Sequence, residues 1–233
     1  MFPWLRRDPK HLVERRQSML RAMADYPPYE PPHRQGPNFL DRVSRQGEVE
    51  YEVLLQRFTD RGRENLDYFL KHREVRMNAL SAFLEKFDVQ MGFGDAGLAA
   101  VSAWCPQNCG SLVPDLRDQN TRQVFFQMLQ PWTGQWRGFN VIFDLGTFLG
   151  ESLIVRSPRL HWIYQPGLSE DGVSNHSGYG IGGFKKGAGN WFDPMGFICD
   201  ACTRNQAYLR TKNSIFFTRP DFLIGQVRDF SSR

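Results

Sequence analysis

Apolar residues recur at three- and four-residue intervals over residues 64–87: Leu66, Phe69, Leu70, Met77, Leu80, Phe83, Leu84 and Phe87. Side chains so spaced share one face of an α-helix, so the pattern predicts an amphipathic helix there. The glycine cluster of residues 91–97 ends it, and a short helix is expected to follow through Trp104. A partial stripe of Leu12, Val13, Met19, Leu20 and Met23 predicts a helix over 11–24, and another is expected over 117–130, stopped by Pro131. Prolines at 27, 28, 31, 32 and 37 remove backbone donors and favour extended chain. Residues 1–40 therefore read as an N-terminal helical arm plus a proline-rich connector, and residues 41–233 as a single domain.

A helix over 137–152 is followed by a change of texture. Residues 160–165, 173–181, 196–199 and 214–218 are short, aromatic or β-branched runs separated by Gly, Pro, Asn and Asp. These features predict antiparallel strands. The expected class is α+β, with a helical N-terminal half packed on a C-terminal antiparallel β-sheet.

On a helical wheel, residues 139–151 divide sharply. Phe139, Ile142, Phe143, Leu145 and Leu149 cover one side, and their burial contributes about 7–15 kcal/mol gross. Asn140, Asp144, Thr147 and Glu151 form a narrow polar arc opposite. Gly146 and Gly150 fall on the apolar side, where each costs helix stability unless another chain passes close by. Arg137 in the first turn and Glu151 in the last both oppose the helix dipole, which points to a specific partner for each. The arc carries no lysine, unlike an ordinary solvated face. Two readings follow. Asp144 and Glu151 pair with Arg156, Arg159 or other internal arginines, or they line a groove with Trp162 that takes a basic or amine-bearing group.

The run Asp144-x-Gly146-x-Phe148-Leu149-Gly150-Glu151, followed by Ser157-Pro158-Arg159-Leu160-His161-Trp162, resembles a "YLGE…W" signature of small bacterial domains of unknown function. Some of these are predicted immunity proteins of toxin systems. The match covers about 25 residues, or about 60 if the later Asp193-Pro194 step is included, with Phe148 where the signature has tyrosine. The resemblance implies an α+β interaction domain, bacterial, without established catalysis.

Composition adds limits. The hydrophobic share of 41% is that of a globular chain, and the formal charge of +4 is spread among interleaved acids, so a nucleic-acid partner is not expected. The start of the chain lacks the apolar core of a secretory signal and the apolar run at 139–151 is interrupted by carboxylates, so a soluble cytoplasmic protein with no membrane partner is expected.

Two cysteine pairs, Cys105/Cys109 and Cys199/Cys202, have spacings compatible with a four-thiolate zinc site, against the alternatives of packing or a disulfide. Gly178-x-Gly180-x-x-Gly183 before Lys185 and Lys186 has the formal glycine spacing of a dinucleotide loop but no helix start behind it, so it reads as a glycine-rich hairpin or flexible loop, with anion binding as the alternative. His161, His176 and Asp193 fit no nucleophile or metalloprotease motif. The expected function is non-catalytic binding of another protein, or self-association through the N-terminal arm, with no cofactor and with Asp144, Glu151, Trp162, Lys185 and Lys186 as candidate binding residues. The alternative is a metal- or anion-dependent enzyme built on the cysteine pairs and the glycine-rich loop.

Overall fold

A computed structural model describes residues 8–33, 48–126, 131–165, 178–184 and 191–231. Helix α1 spans Lys10–Ala22, and α2 spans Glu48–Glu85. They are followed by α3 (Asp95–Asn108), α4 (Gln119–Phe126) and α5 (Gly138–Arg156). Three strands come next, β1 (His161–Gln165), β2 (Gly178–Gly182) and β3 (Trp191–Phe192), and then α6 (Pro194–Thr211) and α7 (Phe222–Ser231). The α+β class holds. The sheet, however, lies mid-chain rather than at the C-terminal end, and helices flank it on both sides in sequence.

The correction has a physical source. Residues 196–199 look strand-like in isolation, yet they continue a helical period: Met195, Ile198, Cys199, Cys202 and Leu209 are all buried along α6. Asp193 caps this helix, its Oδ1 accepting from Gly196 N at 2.8 Å, and Pro194 occupies the first turn, where its missing N–H is no loss. The expected strand at 214–218 is instead a short 3-10 turn, Ser214–Phe216, that Asn213 starts by accepting from Ile215 N. Helix α2 begins earlier than its apolar stripe suggested. The expected helix at 117–130 is seen at Gln119–Phe126, its last four residues lying outside the described part.

The sheet order is β1-β2-β3, antiparallel throughout, with Trp162 opposite Ile181 and Tyr164 opposite Tyr179. The glycine-rich run 178–182 is thus the central strand, in line with the expected strand and the hairpin reading rather than the flexible loop; residues 173–177 of the expected strand lie outside the described residues. Helix α5 is the centre of the core. Every residue from Gly138 to Gly150 is buried, so this apolar helix, long enough to cross a membrane by composition alone, is enclosed by the rest of the chain. Its two core-side glycines admit close neighbours. A Cβ on Gly146 would fall 2.7 Å from Met195 Cα, and one on Gly150 would fall 2.4 Å from the Trp162 ring. Helix α6 and the sheet can reach the axis of α5 only because those Cβ atoms are missing.

The arm packs into the same core. Met19, Met23, Tyr26 and Tyr29 join α2 and α5 residues in one hydrophobic cluster. At the other end of α1, Asp8 accepts from Arg16 and Arg210, and Arg210 also reaches Asp115 at 3.2 Å, which ties the arm to the end of α6.

Candidate functional site

The polar arc of α5 faces the connector and α2. Asn140, Asp144 and Thr147 have no exposed surface. Asn140 Oδ1 accepts from Tyr29 N at 2.8 Å, while its Nδ2 donates to the Trp132 and Arg137 carbonyls. Asp144 is held by a fork from Arg76, Nε to Oδ1 at 2.9 Å and Nη2 to Oδ2 at 2.7 Å, and by the Tyr26 hydroxyl at 2.5 Å. Arg76 Nη1 donates on to the Pro27 carbonyl. Tyr29 stacks on Phe143 at 4.4 Å and shares a hydroxyl contact of 2.9 Å with Tyr179. The groove that the arc forms is therefore filled by the chain's own Tyr26-Pro-Pro-Tyr29 segment, and Asp144 does not line an open groove.

Burial pushes the Asp144 carboxyl above its ordinary value, while the Arg76 charge and the Arg76 and Tyr26 hydrogen bonds pull against it. The two-pronged geometry is that of a carboxylate with a guanidinium, and burial together with the neighbouring carboxylate raises the Tyr26 phenol well above its usual range. The asymmetry of cost is large: a buried pair contributes little net stability, but removing one member leaves a buried charge.

Glu151 lies at the rim of the arc. Its Oε1 accepts from Trp162 Nε1 at 2.7 Å and lies 3.2 Å from Arg73 Nε. The Glu151 side chain is 16% exposed and that of Arg73 40%. The arginine partner is thus Arg73, not Arg156 or Arg159; Arg156 instead spans Asp95, the Phe93 carbonyl and the Ser152 carbonyl. Trp162 is buried among Phe69 and Gly150, with its ring 4.8 Å from Phe69 in an edge-on contact, so its indole N–H holds Glu151 from a fixed position. Arg137, at the N-cap of α5, donates to the Ala24 carbonyl at 2.9 Å and to that of Met23 at 3.3 Å; Glu151 lies before the last turn, because the helix runs on to Arg156 rather than ending at 152. Phe148, at the tyrosine position of the signature, is fully buried and stacks on Phe93. Lys185 and Lys186 lie outside the described residues.

The two cysteine pairs converge where α6 crosses the end of α3. Gly110 N donates to Asn205 Oδ1 at 2.7 Å, and Gln206 Nε2 donates to the carbonyls of Gly110, Val113 and Pro114. All four thiols are free and buried. Burial, and then contact with Cys109, pushes Cys202 well above the usual thiol range; burial does the same to Cys105 and Cys199. These are poor conditions for a thiolate nucleophile or ligand. Among the described residues no group of three or more His, Cys, Asp or Glu side chains is arranged to hold a metal ion. His161 is exposed, its Nδ1 beside the Arg159 carbonyl, and Asp193 serves as the α6 cap, so the two occupy separate roles.

No family model, curated protein or solved structure matches the chain. The polar arc was visible in the sequence, whereas Arg76, Tyr26 and Arg73, which decide its character, were not. Of the three only Tyr26 had a local signal, an aromatic next to Pro27 and Pro28 that can dock without ordering a long flexible side chain.

Proposed function

We propose that the protein is a non-catalytic binding domain that engages another protein, in the toxin-neutralising sense implied by the "YLGE…W" resemblance, and that Glu151 is its recognition carboxylate. The observation that carries this reading is the contrast within one helix. Asp144 is saturated and sealed, while among the described residues Trp162 and Arg73 both meet Glu151 at Oε1, at a rim where the side chain keeps some exposure. Trp162 holds the carboxylate in place, so a partner ammonium or guanidinium meets an acceptor that loses little freedom on binding. Arg73, the more exposed of the pair, can yield its place to the incoming cation.

The test is recovery of a partner by the full chain from its own host after cross-linking in cells, comparing wild type with Glu151→Gln. The amide keeps an acceptor for Trp162 but loses the charge. A stoichiometric partner held by wild type and reduced about tenfold or more by the variant, at unchanged thermal stability, supports the proposal. Equal recovery by the two proteins contradicts it.

A further inference from the structure

The end of α6 and the turn after it form a surface unlike the rest of the molecule. Between residues 201 and 220 the sequence has no Asp or Glu and four cations, Arg204, Arg210, Lys212 and Arg219. Arg210 is turned inward to Asp8 and Asp115, while Arg204, Lys212 and Arg219 are exposed. Within this basic stretch stand two large exposed apolar side chains, Ile215 at 74% and Phe217 at 44%. Phe217 joins this turn to the helix. Phe217 meets the Tyr208 ring edge-on at 5.2 Å, Lys212 Nζ lies 5.4 Å from the centre of the same ring, and Arg204 is one helical turn before Tyr208.

We infer that this patch docks on an anionic lipid bilayer, with Ile215 and Phe217 entering the interface and Arg204, Lys212 and Arg219 meeting lipid phosphates. Charge complementarity selects an acidic partner, and the apolar side chains select among acidic partners. Nucleic acid offers phosphate and base faces on which Phe217 could stack, but an exposed aliphatic side chain such as Ile215 gains more from an apolar interior than from a base face. A bilayer offers both, since interfacial binding combines buried apolar area with attraction of Lys and Arg to anionic headgroups. Ile215 stands on the short 3-10 turn Ser214–Phe216 and Phe217 follows at its end, both exposed, which suits insertion. Asp221 pairs with Arg219 at 2.8 Å and partly offsets that cation, as Asp8 and Asp115 offset Arg210. Surface contact departs from the sequence-based expectation of no membrane partner, and it needs no spanning segment.

Vesicle co-sedimentation of the full chain tests this. The probes are phosphatidylcholine vesicles with and without a minority of phosphatidylglycerol, at low and at physiological salt. The expected result is binding to the anionic vesicles that weakens with salt and is several-fold weaker on phosphatidylcholine alone. Ile215→Ser/Phe217→Ser is expected to lower partitioning about tenfold or more, and Lys212→Glu to lower it on anionic vesicles only. Both variants alter exposed side chains, and unchanged thermal unfolding checks that they fold. No sedimentation with anionic vesicles, or partitioning of the apolar double variant equal to wild type, overturns the inference. Preference for single-stranded DNA over anionic vesicles in competition overturns it in favour of a nucleic-acid surface.

Discussion

Arg76 and Asp144, 68 residues apart in sequence, meet as a two-pronged ion pair in which both side chains are buried, at 2.9 and 2.7 Å. The pair joins α2 to α5 and, through Tyr26 and the Pro27 carbonyl, fixes the connector against both. Removing only the cation leaves a carboxylate in the core. Arg76→Met is therefore expected to cost about 3–5 kcal/mol in denaturant unfolding. Arg76→Met/Asp144→Leu, which removes both charges, is expected to recover at least half of that loss. A double variant as unstable as the single one would show that the connector contacts, rather than charge, dominate.

Glycine substitutions separate close approach from helix propensity. At Gly146 a Cβ meets the Met195 backbone, which cannot rotate away, so Gly146→Ala is expected to lose about 1–3 kcal/mol. Gly225 in α7 is exposed, with nothing within 4 Å of where a Cβ would stand, and Gly225→Ala is expected to gain about 0.5–1 kcal/mol. Opposite shifts in melting temperature check the pair; shifts of the same sign would not fit.

Acid sensitivity is expected to concentrate at Asp115. Burial by itself would raise its carboxyl, but hydrogen bonds from the Arg117 side chain and backbone, with the charge of Arg210, bring it down to about 2. A folded-state value below the unfolded one gives stability that is present above about pH 4 and lost as the pH falls toward about 2. Because the side chain is partly exposed, screening reduces the contribution to about 1 kcal/mol. Stability measured by denaturant at a series of acidic pH values should fall less steeply for Asp115→Asn than for wild type.

The thiols give a direct probe of the core. All four cysteines are buried and free, and burial holds Cys105, Cys199 and Cys202 protonated near neutrality. A chromogenic disulfide reagent should titrate few thiols in the native protein and four after denaturation in chelator without reductant. Fast native labelling would mean that the contact between α6 and the end of α3 opens readily.

Local periodicity made α5 and the second half of α2 legible, and the wheel of α5 gave both its core face and its polar arc. The first half of α2 lay outside the predicted stripe; at Gly62 the helix is met by Tyr164, and a Cβ there would fall 2.0 Å from that ring. Strand texture at residues 196–199 misled because four residues cannot distinguish a buried helix from a strand, whereas the spacing from Met195 to Leu209 does. The site was half legible. Opposition to the helix dipole singled out Arg137 and Glu151, and both have specific partners, but the helix runs on to Arg156, so Glu151 lies before the last turn and only Arg137, at the N-cap, opposes the dipole. Which arginine meets which carboxylate depends on how α2 lies along α5, and no local pattern encodes that.

The division of labour between the two α5 carboxylates is tested most directly by the unfolding free energies of Asp144→Asn and Glu151→Gln, measured side by side in denaturant. Asp144→Asn leaves Arg76 buried without its counter-charge and is expected to lose about 3 kcal/mol or more. Glu151→Gln keeps an acceptor for Trp162 and gives up only a partly exposed ion pair with Arg73, so it is expected to lose less than about 1 kcal/mol. Equal losses would contradict the assignment of Asp144 to the fold and Glu151 to recognition.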